Sequence, residues 1–269
     1  MSPPRAARRS HPRSPIALVA LLLSAAPFAA APAGAQSSDS TGWSASGELS
    51  FTDVSGNTDL SLLATSLTVD RSGGAAYDAT AAAAVRYGTN DGEVAAKSAI
   101  ASAEVRLRPL ARLSPFASAS VERDEVRRLL VRVAGALGVD VNLIREEARR
   151  LSVGGAVLQD YEKRDALEGS LADPSVSTTR FVMRLTGQTP LREGIALEHE
   201  SRIEPAAEDF SDYLLRSQTA LRAVLSSRLA FQTSYLFTRD NIPPEGVAFK
   251  DDRMLMVGLV VQLTPPAAP

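Results

Sequence analysis

Apolar residues occupy every second position in about a dozen short stretches between Trp43 and Leu263. The last stretch is the clearest, with alternating Leu255, Val257, Leu259, Val261 and Leu263. Because side chains alternate faces along a strand, each stretch predicts a β-strand with one apolar face.

The opposite face of several stretches is charged, as at Glu198, Glu200, Arg202 and Glu204. A soluble β-sandwich hides its apolar face, whereas a transmembrane barrel turns that face to lipid and keeps a polar interior. The alternation alone is compatible with both architectures.

Twelve strands can be counted, with the first over 43–51, the third over 77–87 and the seventh over 150–160. The last, 255–263, is expected to pair back to the first. Residues 126–137 could instead form an amphipathic helix, but alternating valines and interspersed glycines favour a strand there.

The connections between these strands follow a parity rule. Those after even strands are tight, at 72–74, 109–115, 190–194 and 226–227. Those after odd strands tend to be longer and more polar, notably 161–178, 204–212 and 239–252. Short periplasmic turns and longer outer loops are typical of bacterial outer-membrane barrels, whose strand number is even. The sequence therefore predicts an all-β fold, a single antiparallel up-and-down transmembrane β-barrel in the outer membrane of a Gram-negative cell.

The ends of the chain are predicted to lie outside this barrel. Residues 1–35 combine a basic start, an apolar run and a small-residue cleavage site, as in a secretory signal peptide. Residues 36–42 form a short lead-in, 43–263 the barrel and 264–269 a proline-rich tail. No other segment is apolar enough for a transmembrane helix.

Composition narrows the function classes. Without the leader's four arginines, the chain carries 25 basic and 31 acidic residues, which does not favour nucleic-acid binding. It has no cysteine and, beyond the leader, one histidine, so we expect no disulfide, no metal site and no cofactor. The expected partners are outer-membrane lipid and the barrel-assembly machinery, with the solute unidentified.

Two segments resemble a known family. WSASGELSFTDVSGNTD at 43–59, and Tyr235 with RDNIPPEG at 239–246 and KDD at 250–252, are similar to the YdiY-like family. Its members are described as salt-induced outer-membrane proteins of uncharacterised function. The resemblance implies an outer-membrane barrel and no catalytic residues. Such barrels commonly end on an aromatic residue read by the assembly machinery, whereas this chain ends its last strand on Val261-Gln262-Leu263.

The candidate functional residues are charged side chains predicted to face the lumen. They could line a narrow aqueous path or pair and close it. They are Glu48, Glu104, Arg106, Arg108, Glu122, Arg132, Arg184, Glu198, Glu200, Arg202, Arg216 and Arg222. Two loop motifs, containing Gly56 and Asn57, and Asn241, Pro243 and Pro244, could bind a ligand but more often represent turn chemistry.

The remaining candidate is His199 with Ser201, two residues apart on one predicted outward face. An outer-membrane phospholipase uses such a His-x-Ser pair on a twelve-stranded barrel. Catalysis would also need a group that orients the imidazole, and no asparagine lies on an adjacent predicted strand. The pair is therefore interpreted as interfacial polar residues near the rim, and no enzyme activity is predicted.

These observations favour a non-enzymatic channel for ions or small solutes, or a structural component of the envelope in osmotic or salt response. Two alternatives remain open: a lipase-like enzyme using His199 and Ser201, and a soluble periplasmic ligand-binding barrel.

Overall fold

The computed structural model describes residues 42–54, 60–72, 76–108, 111–126, 128–146, 148–165, 175–243 and 250–263. The predicted signal peptide and proline-rich tail lie outside these residues, as do Gly56, Asn57 and Pro244. Within the described residues no helix is long and apolar enough to cross a membrane.

The described residues form twelve strands. They are β1 (Gly42–Val54), β2 (Leu60–Ser72), β3 (Tyr77–Asn90), β4 (Glu93–Leu107), β5 (Leu113–Asp124), β6 (Leu129–Arg145), β7 (Arg150–Arg164), β8 (Ser175–Arg192), β9 (Ile195–Pro205), β10 (Tyr213–Val224), β11 (Leu229–Asp240) and β12 (Asp251–Gln262).

Each strand pairs antiparallel with its neighbours in sequence, and β12 pairs with β1 to close the barrel. At the closure Ser46 lies opposite Gln262 and Ser50 opposite Gly258. Closure satisfies the backbone hydrogen bonds of both terminal strands, as a lipid environment requires. The predicted pairing of the last strand with the first is confirmed.

Most of the segment 126–137, which could have been a helix, belongs to the long strand β6 (Leu129–Arg145), as predicted. Val133, Leu137 and Val139 point outward, with Leu137 71% exposed, while Leu129, Ala134, Ala136 and Asp140 are buried inside. Strand packing is favourable for β-branched side chains that lose rotamer freedom in a helix.

Strands on one side of the barrel are longer than predicted. The expected loop 161–178 is strand at both its ends, because β7 extends to Arg164 and β8 begins at Ser175. The predicted turn 109–115 is also shorter, and Pro115 lies inside β5. Proline is tolerated there because pairing of β5 with β4 begins only at Phe116, so no ladder bond to β4 is lost.

The distribution of polarity is the reverse of that in a soluble protein. Large apolar side chains such as Trp43, Leu49 and Leu255 are more than half exposed on the outer face. Charged side chains such as Asp140 and Arg222 are 1% and 5% exposed inside. This is the arrangement of a transmembrane barrel, and the predicted fold class is confirmed.

Candidate functional site

The interior of the barrel collects most of the predicted lumen residues. Those whose side chains lie on the inner face are Glu48, Glu104, Arg106, Glu122, Arg132, Arg184, Glu198, Glu200, Arg202, Arg216 and Arg222. They reach it because strand periodicity sends alternate side chains to one side of each strand.

Arg108 is the exception, and its prediction is corrected. It follows the end of β4, has a positive φ of 48° and is exposed. Its carbonyl oxygen accepts hydrogen bonds from the Ala111 amide at 2.9 Å and the Ser114 hydroxyl at 2.9 Å. Alternation breaks where the chain turns, so a residue one step beyond the strand no longer faces inward.

A network that we call the Arg184 cluster joins β4, β6 and β8 through the interior. Arg184 donates to Asp140 from Nε at 2.8 Å and from Nη2 at 2.5 Å. It also contacts Glu104 at 2.9 Å, and its guanidinium lies 3.7 Å from the centre of the Phe116 ring. Arg106 contacts both Glu104 at 2.9 Å and Asp140 at 3.2 Å. The buried Asp140 carboxylate therefore pairs with two guanidinium groups.

Small residues on the intervening strands make room for this cluster. A Cβ added to Gly154 on β7 would lie 2.1 Å from Asp140 Oδ1, directly in the path of the Asp140–Arg184 pair. A Cβ on Gly138 would lie 2.5 Å from Phe116 Cζ. Glycine is required at both positions because side chains from other strands approach the backbone closely.

A second network lies toward the end of the barrel where β7 and β8 connect. Arg132 contacts Asp160 at 2.6 Å and Glu162 at 3.4 Å. Arg180 contacts Asp212 at 3.2 Å, which ties the β9–β10 connection to β8. These pairs neutralise carboxylates such as Asp160, which is 2% exposed.

On the opposite wall Arg222 interacts electrostatically with Glu48 and Glu198. Gln232 donates a long hydrogen bond of 3.4 Å to Glu48 Oε1. Arg222 Nε, Glu198 Oε1 and Gln232 Oε1 are buried without a hydrogen-bond partner from the protein. Since buried polar atoms are nearly always hydrogen-bonded, water is expected to reach this wall.

Several buried charges were not among the predicted lumen residues: Arg86, Asp124, Asp140, Asp160, Arg180 and Asp240. Asp140 could have been found, because it already occupied a polar position in the alternation of β6. Asp160, Arg180 and Asp240 were harder to find because they lie at or near predicted strand ends, where the alternation gives way to loop-like composition.

The loop motif at Asn241 shows turn chemistry in its described part. The Asn241 side chain donates to the Ser211 carbonyl oxygen at 2.7 Å, and its backbone amide donates to the Tyr213 carbonyl oxygen at 3.1 Å. These bonds tie the start of the β11–β12 connection to the β9–β10 connection. Pro243, also described, follows in the same segment.

His199 and Ser201 face outward from β9, well inside the strand rather than at its rim. His199 Nε2 lies 2.8 Å from Ser201 Oγ, and Nδ1 lies 2.9 Å from Thr219 Oγ1 on β10. Ser201 Oγ is also 3.0 Å from Ser217 Oγ. No group to orient the imidazole was predicted from the sequence, but Thr219 lies directly opposite His199 in the strand pairing.

The closed sheet, apolar exterior and charged interior together define a transmembrane β-barrel. Residues 47–263 match the family described as "Protein of unknown function, DUF481", and the chain belongs to that family. This is the YdiY-like family indicated by the motifs at the two ends, so that prediction is confirmed. No curated protein matches the chain.

Solved structures with a similar fold include the NanC porin, at 8% identity and a TM-score of 0.49, covering 82% of this chain and 99% of that one. The translocator domain of the autotransporter NalP from Neisseria meningitidis has 15% identity and a TM-score of 0.45, covering 81% and 86%. The KdgM porin has 8% identity and a TM-score of 0.45, covering 82% and 99%. At these values none of them carries a substrate or a role over to this chain.

Proposed function

We propose that the mature chain is an outer-membrane barrel that conducts small cations through a narrow, charged interior. The observation that carries this proposal is the Arg184 cluster, which crosses the interior and yet remains partly exposed. Glu104 and Arg106 are 27% and 33% exposed, whereas Asp140 behind them is 1% exposed. Water can reach part of the cluster, and side chains fill much of the remaining space.

The interior is too full for a wide pore. In a broad water-filled lumen the inner side chains would be exposed, but Arg86, Glu122 and Arg222 are only 5–6% exposed. A twelve-stranded barrel also has less room than the larger porins. Ions and very small solutes are therefore the cargo that fits.

The balance of charges on the inner face favours the passage of cations over that of anions. Among the described inner-face residues acidic side chains outnumber basic ones. The acidic ones are Glu48, Asp70, Asp78, Glu104, Glu122, Asp124, Asp140, Asp160, Glu162, Glu198, Glu200, Glu204 and Asp240; the basic ones are Arg86, Arg106, Arg132, Arg150, Arg164, Arg180, Arg184, Arg202, Arg216 and Arg222. Acidic linings raise the local concentration of cations.

The orientation follows from the connections. The three longest, 165–174, 206–212 and 241–250, all follow odd-numbered strands, and these strands end at one end of the barrel, which we assign to the outside of the cell. Export would use the leader predicted at 1–35. The description of the family as salt-induced adds a role in the response to osmotic or salt stress.

Reversal potentials in planar bilayers test the proposed selectivity. Across a KCl gradient the wild-type barrel is expected to give a small conductance with a reversal potential on the cation-selective side. Glu104→Gln removes a water-exposed lumen carboxylate, so the reversal potential should move toward zero.

The matched control is Glu125→Gln, in the connection after β5. Lys97 lies 2.8 Å from Glu125 and holds the pKa of that exposed carboxyl below its usual range, so the control also removes a full negative charge. Being outside the lumen, it should leave the reversal potential unchanged. An anion-selective or electrically silent wild-type barrel would refute the proposal.

A further inference from the structure

His199, Ser201, Ser217 and Thr219 form a polar patch on the apolar outer face, with Leu185 and Leu221 among its neighbours in the sheet. Ionisable side chains that face hydrocarbon are costly and usually functional. The three hydroxyl groups could hydrogen-bond to one another without an imidazole. The presence of His199, contacted on both ring nitrogens, therefore calls for a chemical explanation.

We propose that Ser201 is the nucleophile of a lipid-facing esterase site that acts on acyl esters of surrounding membrane lipids. The geometry is that of a nucleophile, a base and an orienting group in series. Ser201 Oγ lies 2.8 Å from His199 Nε2, and Thr219 Oγ1 lies 2.9 Å from His199 Nδ1. Such a series activates serine in unrelated hydrolases.

Thr219 acts as a positioning residue. In the tautomer with its proton on Nδ1, His199 donates to Thr219 Oγ1 and leaves Nε2 free to accept the Ser201 proton. His199 and Thr219 lie opposite each other on paired strands, so the sheet itself fixes the distance. Ser217 Oγ accepts a hydrogen bond from Ser201 Oγ at 3.0 Å. Once the Ser201 proton has moved to His199, the Ser217 hydroxyl is free to turn and donate to the oxyanion.

The reaction balances with water as the only co-reactant. Ser201 Oγ bonds to the ester carbonyl carbon while its proton moves to His199 Nε2. The intermediate collapses, the ester C–O bond breaks, and the leaving alcohol takes that proton. Water then attacks the acyl-serine, gives a proton to His199, and releases a fatty acid while the serine hydroxyl is restored.

The depth of the patch suits an acyl ester. Ser201 lies four residues before Pro205, the last residue of β9. At about 3.3 Å per residue and about 40° of tilt, it sits about 10 Å below the end assigned to the outside. Phe181 and Phe210 stack near that rim, with ring centres 6.0 Å apart. The site therefore faces the outer leaflet. The inference takes lipid insertion and the assigned orientation from the proposed function but not ion conduction, so an electrically silent barrel would leave it standing.

Two readouts on the folded full-length mature protein test the site. The first is labelling with a fluorophosphonate probe, with the adduct located by mass spectrometry. The second is fatty-acid release from mixed micelles containing phosphatidylethanolamine or, in a separate arm, lipopolysaccharide. We expect an adduct on Ser201 and release in at least one arm, which identifies the lipid source. Ser201→Ala and His199→Asn should each lower turnover by about a thousandfold.

Thr233→Ala removes a hydroxyl from the outer face of β11 and should leave turnover unchanged. Thr219→Val should lower kcat with little change in KM, and Thr219→Ser should restore it, which a merely structural hydroxyl would not do. Absence of both an adduct and fatty-acid release in the wild-type protein overturns the proposal, whatever the folding of the variants. An adduct at another residue would also overturn it.

Discussion

Replacing Asp140 with alanine is expected to lower the free energy of unfolding of the barrel by about 3–5 kcal/mol, the usual cost of breaking a buried ion pair. Asp140 is 1% exposed and lies between two guanidinium groups, 2.5 Å from Arg184 and 3.2 Å from Arg106. Its loss would leave both guanidinium groups to share the carboxylate of Glu104, which lies 2.9 Å from each, and the buried charge would be only partly neutralised.

This change in the free energy of unfolding is measured by urea unfolding in lipid vesicles, with the fluorescence of the single tryptophan, Trp43, as the signal. The matched control is Asp251→Ala, which breaks the Arg239–Asp251 pair. Its two side chains are 35% and 36% exposed, so the cost should stay below about 1 kcal/mol. Equal destabilisation by the two variants would show that the Arg184 cluster stabilises the barrel no more than an exposed ion pair does.

The second large effect is expected at Arg184, which extends from β8 over Gly154 to reach Asp140 and Glu104. Arg184→Ala removes one of the two arginine side chains of the cluster, while Asp140 keeps Arg106 as a partner at 3.2 Å. The interior then widens and gains negative charge. Both changes should raise single-channel conductance to cations severalfold over the wild-type value.

Single-channel recordings in planar bilayers provide the measurement. Arg123→Ala is the control, because Arg123 is 62% exposed and pairs with Glu125 outside the lumen at 3.4 Å. It removes the same charge and should leave conductance unchanged. If Arg184→Ala conducted like the wild-type barrel, the cluster would not be the constriction.

Much of this architecture could be predicted from the alternation of residues. Strand number, the closure of β12 on β1 and the inward position of residues such as Glu198 and Arg202 follow from a period of two. Strand ends could not be placed as well. Barrel strands project beyond the lipid into water, so polar residues at 161–164 and 175–178 have the composition of a loop although they are paired.

Contacts across the barrel could not be predicted from the sequence for a different reason. Whether Arg184 meets Glu104, four strands away, depends on the register of every intervening pair and on the small side chains that leave the route open. The same holds at the outer face, where strand register alone places Thr219 opposite His199. Thr219 could not be predicted by looking for an asparagine on the adjacent strands.

The most direct test of a lipid-embedded barrel with a water-reached interior uses two neighbouring residues of β4. Glu104 faces the lumen and Ala103 faces outward, and the chain has no cysteine of its own. In vesicle-inserted protein, Glu104→Cys should react with iodoacetamide while Ala103→Cys is shielded by lipid; unfolding in denaturant should make both reactive. Reaction of Ala103→Cys together with protection of Glu104→Cys would contradict the proposed arrangement, and protection of both would contradict an aqueous path.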